Sequence, residues 1–76
     1  MTLDKLPVGK TAVIKEVGGA GELRLRLLDM GLIPHTAIRV VKVAPMGDPI
    51  EVTLRGYSLT LRKEDASMIT VDEVKE

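Results

Sequence analysis

The residue types that most often carry chemistry are sparse in this 76-residue chain, and they stand far apart. His35 is the only histidine and there is no cysteine, so thiolate chemistry, disulfides and zinc–cysteine sites are excluded. A metal site at His35 would need carboxylates beside it, with Asp29 and Asp48 as the candidate neighbours, whereas a lone histidine in a loop is ordinarily solvated. No nucleophile is visibly paired with it. The remaining carboxylates are spread among Lys and Arg partners, and no two form a recognisable acid–base pair. Gly18-Gly19-Ala20-Gly21 precedes a helical stretch, as phosphate-binding loops do. It lacks the Gly-Lys-Ser/Thr ending and the dinucleotide spacing, so backbone freedom ahead of a helix is its simpler role. The expectation is no catalytic residue, no tight metal site and no cofactor.

A contact surface is the more promising chemistry. Over 21–30, Leu23, Leu27 and Met30 fall at i, i+4 and i+7 and form one stripe for burial. Leu25 points roughly opposite that stripe, and Leu28 sits on its flank, next to Arg24. Either the glycine-rich loop or Leu32-Ile33 covers these residues, or Arg24, Leu25 and Leu28 form a small apolar-basic patch for a partner.

Composition narrows the partner. Lys and Arg number 11, Asp and Glu number 11, and the formal net charge is zero. Nucleic-acid binding draws on a basic excess and on aromatic stacking platforms, and Tyr57 is the lone aromatic. Nucleic acid is therefore not the expected partner, and neither is a Pro-rich peptide, whose grooves are lined with aromatics. No apolar run approaches the ~20 residues of a membrane span, and no signal peptide precedes the structured sequence. The expectation is a soluble, cytoplasmic protein without direct membrane insertion, folded as a single domain over residues 1–76. A hydrophobic fraction of 45% suffices for such a fold, with a core of Val, Ile, Leu, Met and Ala.

The elements that must position these residues are short and β-rich, punctuated by Gly and Pro. Thr11 to Val17 reads as a strand, its alternation blurred at Val13-Ile14. The helix follows, with Glu22 and Arg26 as an i, i+4 pair, Gly31 suited to the left-handed C′ position and Pro34 barring continuation. Ala37 to Ala44 is an apolar strand whose phase slips at Val40-Val41, the mark of a bulge. Ile50, Val52 and Leu54 alternate cleanly with Glu51, Thr53 and Arg55. A type II′ turn at Gly56-Tyr57 predicts Leu54 opposite Leu59 and Val52 opposite Leu61. Lys63 to Met68 reads as a helical turn and Ile69 to Val74 as a closing strand. This order predicts a mainly β fold, a small SH3-like barrel with one helix between its first two strands.

The residues from Arg26 to Val71 also resemble a known family. Arg26-Leu27-Leu28-Asp29-Met30-Gly31-Leu32 with Pro34, then Gly47-Asp48-Pro49-Ile50, Gly56, Leu59, Leu61-Arg62, Ala66, Ile69 and Val71, are similar in order and spacing to the FeoA signature. Leu6 and Gly9 extend the match over almost the whole chain. The resemblance implies an SH3-like barrel, an association with transition metals, and a cytoplasmic accessory role. The implied partner is the G-protein-containing part of a membrane ferrous-iron transporter. One departure is His35, where the family commonly has Gly after the proline. A type II turn needs positive φ there, which His tolerates poorly, so a type I turn is expected. The same barrel occurs as the C-terminal domain of iron-dependent repressors, so the alternative is a metal-responsive sensor domain acting through self-association or a DNA-binding partner.

Overall fold

The computed structural model describes residues 1–74; residues 75 and 76 of the expected domain lie outside the described residues. After a short 3₁₀ turn at Leu3–Lys5 come β1 (Thr11–Val17), α1 (Glu22–Asp29), β2 (Ala37–Val43), β3 (Ile50–Leu54), β4 (Tyr57–Leu61), α2 (Lys63–Ala66) and β5 (Ile69–Glu73). The strands form one antiparallel sheet in the order β4-β3-β2-β1-β5, with α1 between the first two strands in sequence. This is the mainly β architecture expected of the sequence.

Two irregularities curl the sheet around an aliphatic core; the one in β2 falls at the expected break at Val40-Val41, and the one in β1 falls at Lys15, just past Val13-Ile14. In β1, Ala12 and Ile14 are buried and Val13 is half-buried; a register shift between Ile14 and Glu16 then brings Val17 back into the core. In β2, Ile38 and Val40 face inward until a shift between Val40 and Lys42. An extra residue on one strand bends it and tightens its twist, which lets a five-stranded sheet curl around its own apolar face. Ile50, Val52 and Leu54 complete that face from β3, and Leu61 from β4. Leu3 and Leu6 close it from the N-terminal turn.

The hairpin corrects the expected register. Its turn residues are Arg55 and Gly56, at φ 49° and 83°, and not Gly56-Tyr57. Leu54 therefore pairs with Tyr57, Val52 with Leu59 and Ile50 with Leu61. Positive φ at both central positions defines a type I′ turn, whose twist matches that of the flanking strands. The slip moves each pairing by two residues and so preserves the faces: Val52 and Leu61 are both buried as expected, opposite different partners.

The turn after α1 also departs from expectation. His35 has φ 71°, so the Ile33–Thr36 turn carries positive φ at its third position, as in a type II turn, with Pro34 ahead of it. The Thr36 N–H donates to the Ile33 carbonyl at 3.3 Å. Backbone pairing to β1 holds His35 there: its N–H donates to the Ile14 carbonyl at 2.7 Å, and the Ile14 N–H donates to the Thr36 carbonyl at 2.9 Å. Two net hydrogen bonds of about 1 kcal/mol each match the ~1–2 kcal/mol that a left-handed conformation costs a residue bearing a Cβ.

Leu61→Ala is expected to destabilise by about 2–4 kcal/mol, through lost burial and a residual cavity. Thr60→Ala, one residue away on the exposed face, should change stability by less than about 0.5 kcal/mol. Urea denaturation of the two variants side by side checks the facing. His35→Gly should raise stability by about 0.5–1 kcal/mol, relief of the left-handed strain outweighing the added freedom of the unfolded chain. An unchanged or lower denaturation midpoint for His35→Gly would contradict the strain.

Candidate functional site

Helix α1 is held at both ends by its glycines. Gly21 caps the start without a side-chain bond, at φ 57°, a conformation few other residues adopt. The C-terminus closes as a Schellman motif. Gly31 sits at φ 97°, its N–H donates to the Leu28 carbonyl at 3.0 Å, and the Leu32 N–H donates to the Leu27 carbonyl at 3.2 Å. Leu32 is fully buried, which anchors the chain as it leaves the helix.

Above this cap lies the lone aromatic ring. The Tyr57 hydroxyl donates to the Met30 carbonyl at 2.5 Å, tying the start of β4 to the end of α1. A Cβ on Gly31 would overlap that hydroxyl, so this glycine is required twice, by its φ and by the close approach of the tyrosine. The periodicity of α1 revealed the glycine cap. The tyrosine contact spans 27 residues, and nothing in the local pattern announces it.

The stripe expected to be buried is buried unevenly: Leu27 fully, Leu23 and Met30 in part. Of the three expected contact residues, Leu25 is 59% exposed, so neither the glycine-rich loop nor Leu32-Ile33 covers it. Leu28 is half-buried and packs against the core edge. Arg24 is exposed, and its Nε–H donates to the Val17 carbonyl at 3.2 Å, laying its stem along the end of β1. The helix thus presents an exposed leucine flanked by a positioned arginine and a half-buried leucine.

Arg26 pairs across to Asp65 of α2, Nη2 to Oδ2 at 3.6 Å, and not along the helix to Glu22 as the i, i+4 spacing suggested. With the Arg26 side chain 62% exposed, the pair contributes little to stability. A second basic region lies on the outer face of the sheet, where Arg39 stands in register between Thr11 and Thr53, with Ser58 beyond. Arg55 rims the same shallow depression and donates from Nη2 to the Thr36 hydroxyl at 3.3 Å. Sequence reasoning passed over this region because its residues come from four strands. Among the described residues no three His, Cys, Asp or Glu side chains cluster as a metal site, and Asp48 instead accepts a hydrogen bond from the Lys63 N–H at 2.9 Å, capping α2.

The barrel, its inserted helix and its glycine cap define a class, the small SH3-like domains. Comparison with known proteins narrows it, since the FeoA domain family matches residues 1–73, and the chain belongs to that family. It is 42% identical over 72 residues to a fusion of Fe(2+) transport protein A with the Fe(2+) transporter FeoB from Porphyromonas gingivalis (strain ATCC BAA-308 / W83). The match takes in 95% of this chain and 8% of that protein. The solution structure of iron(II) transport protein A from Clostridium thermocellum superposes with a TM-score of 0.93 at 42% identity, over 97% of this chain and 46% of that one. The zinc-complexed FeoA of Stenotrophomonas maltophilia, described as a prokaryotic SH3 domain protein, matches at 0.84 and 29% identity over 95% and 89%. IdeR of T. acidophilum shares the fold alone, superposing with a TM-score of 0.85 at 24% identity over 97% of this chain and 34% of its own.

Tyr57→Phe should cost about 0.5–1.5 kcal/mol, the net worth of one hydrogen bond. Gly31→Ala should cost about 2–4 kcal/mol, because left-handed strain and displacement of the tyrosine add. In the double variant the two losses should sum to more than the measured total, since displacing the ring already breaks the bond. Thermal melts of the four proteins supply this cycle.

Proposed function

We propose that this protein is a non-catalytic accessory of a ferrous-iron transporter, and that it docks on the transporter's cytoplasmic, G-protein-containing part with the exposed face of α1 in the contact. The observation that carries the reading is the fusion relative, in which a segment 42% identical to this chain shares one polypeptide with an Fe(2+) transporter. Covalent linkage gives two modules a high effective concentration, which favours contact between them. Ferrous iron on this reading is the transporter's cargo. The protein acts by contact in the cytoplasm, and Arg24, Leu25 and Leu28 are the residues proposed to make it.

The chemistry of the patch supports docking. Leu25 offers apolar area to be desolvated, and Arg24 offers a guanidinium already steered by its bond to the Val17 carbonyl, so less of its side-chain freedom remains to be lost. The alternative, a sensor domain like that of the iron-dependent repressors, rests on a shared fold at 24% identity or below and has less support.

Leu25→Asp should leave the fold intact, because the side chain lies outside the core, while placing an unpaired charge in a desolvated contact and weakening binding by about 2–4 kcal/mol. Circular dichroism and thermal melting establish that the variant is folded, after which both proteins are titrated against the transporter's soluble domain. Wild-type affinity in folded Leu25→Asp would remove the helix from the interface. Failure of the wild type to bind the intact transporter, with or without guanine nucleotide, would remove the partner.

A further inference from the structure

The two edges of the sheet are treated differently. The outer edge of β5 is covered by the N-terminus: the Val71 N–H donates to the Met1 carbonyl at 2.8 Å, and Thr2 bridges to Thr70. The outer edge of β4 has no such cover among the described residues, since β4 pairs with β3 alone. In a two-residue hairpin the pair next to the turn, here Leu54 and Tyr57, exchanges both its hydrogen bonds, and the alternation then points the N–H and C=O groups of Ser58 and Thr60 away from β3. Those four groups make no other backbone bond among the described residues. An exposed edge is normally blunted by charge, proline, a bulge or a covering segment. Tyr57-Ser58-Leu59-Thr60-Leu61 carries no charge and no proline, and its pairing with β3 is unbroken.

We infer that the β4 edge is a strand-addition site for an extended, acidic-ended segment of a partner polypeptide. The occupant follows from charge. Ser58, Thr60 and Arg62 alternate onto the outer face, so Arg62 marks one end of the edge, with Lys63 next to it; Asp4, Asp48 and Glu64 line the same depression and balance these two cations. Arg55 marks the other end; one of its guanidinium nitrogens donates to the Thr36 hydroxyl, and Arg39 lies beyond it across the sheet face, in a depression that no carboxylate of the described residues lines. Among the described residues neither Arg55 nor Arg39 has a carboxylate partner, the ion pair present being Arg26–Asp65. Glu51, the carboxylate in the adjoining β3 row, stands in register between Lys42 and Thr60, toward the Arg62 end and away from Arg55. A second copy of this chain fits poorly. The antiparallel register that satisfies both Ser58 and Thr60 centres on Leu59, and it sets Arg55 against Lys63 of the copy at both ends. A segment with acidic residues at the end that meets Arg55 and Arg39, and uncharged β-formers along Ser58 to Thr60, meets the edge with main-chain bonds and its unbalanced cationic end with opposite charge. This inference does not depend on the identity of the transporter.

The probe is the synthetic peptide Asp-Glu-Val-Thr-Val-Thr-Val-Thr-Glu-Asp, titrated to about 1 mM into the isotopically labelled full chain, with amide exchange read residue by residue. Saturable binding should slow exchange at Ser58 and Thr60 by about tenfold or more, because strand addition turns solvated donors into ladder donors. The same peptide with lysine at its acidic positions should bind at least about tenfold more weakly. Thr60→Pro removes an outward donor without breaking the β3 ladder and should abolish the protection. Should Thr60→Pro fail to fold, Arg55→Asp is the second variant; it keeps a residue type that tolerates positive φ and should weaken binding about tenfold. Leu25→Asp, on the helix, should bind the peptide as the wild type does. No slowing at Ser58 and Thr60 would overturn the inference, as would equal binding of the lysine peptide or unchanged affinity in folded Arg55→Asp. Concentration-dependent protection of the same amides without peptide would also overturn it, by showing that a second copy covers the edge.

Discussion

A single hydroxyl ties the outer hairpin to the helix, in addition to the β2–β3 ladder that holds the hairpin in the sheet. Tyr57 belongs to β4, on the hairpin that forms the outer half of the sheet, and its hydroxyl reaches the Met30 carbonyl at the end of α1. The contact is open only because Gly31 has no side chain beneath it, and Gly31 is also the residue whose positive φ turns the chain off the helix. The direction in which the chain leaves α1, the burial of Leu32, and the approach of α1 to the hairpin therefore depend on one small region. In a core without Phe or Trp, one aromatic placed at this junction contributes area and a directed bond that aliphatic side chains cannot supply together.

The rest of the barrel is held by aliphatic burial and by the positions of two bulges. A small domain covers only a modest share of its unfolded surface, so each buried side chain carries a large part of the total stability. The buried set is distributed over all five strands, the N-terminal turn and both helices. That distribution requires the sheet to curl, and the register shifts in β1 and β2 occur where two neighbouring strands must bend around the same core. The left-handed His35 belongs to the same economy of contacts: a strained residue is retained because two backbone bonds to Ile14 fix the start of β2 against β1.

Function in such a domain resides on its surface. The two proposed contacts differ in kind: side-chain complementarity on α1 through Leu25 and Arg24, and main-chain pairing along β4. They ask different things of a partner. The helix face suits a folded surface with an apolar depression, while the sheet edge needs an extended segment with free backbone groups. Two recognition modes on one small barrel suit a protein that binds a larger assembly at more than one point, where linked weak contacts combine.

Elements and their faces were legible in the sequence because they are set by local periodicity. The i, i+4, i+7 stripe located α1, the alternation located β3 and β4, and the break at Val40-Val41 located the bulge in β2. Leu25 was legible as an exposed residue because a helix of known phase has a calculable far side. Pairings and backbone states were decided by the tertiary structure. Gly56 could serve in either turn position, and the type I′ alternative through Arg55 was selected by the twist of strands that the local sequence does not encode. His35 appeared too costly for positive φ when weighed alone, and only the two bonds from β1 reverse the balance. Arg26 bonds to Asp65 and not to Glu22 because α2 packs nearby, a neighbour that helical spacing cannot include. The exposed edge of β4 follows from strand order, and strand order is a property of the whole sheet and not of any one strand. Periodicity is a one-dimensional signal and reports which side of an element is apolar; what that side meets is settled only when distant segments compete for the same contacts.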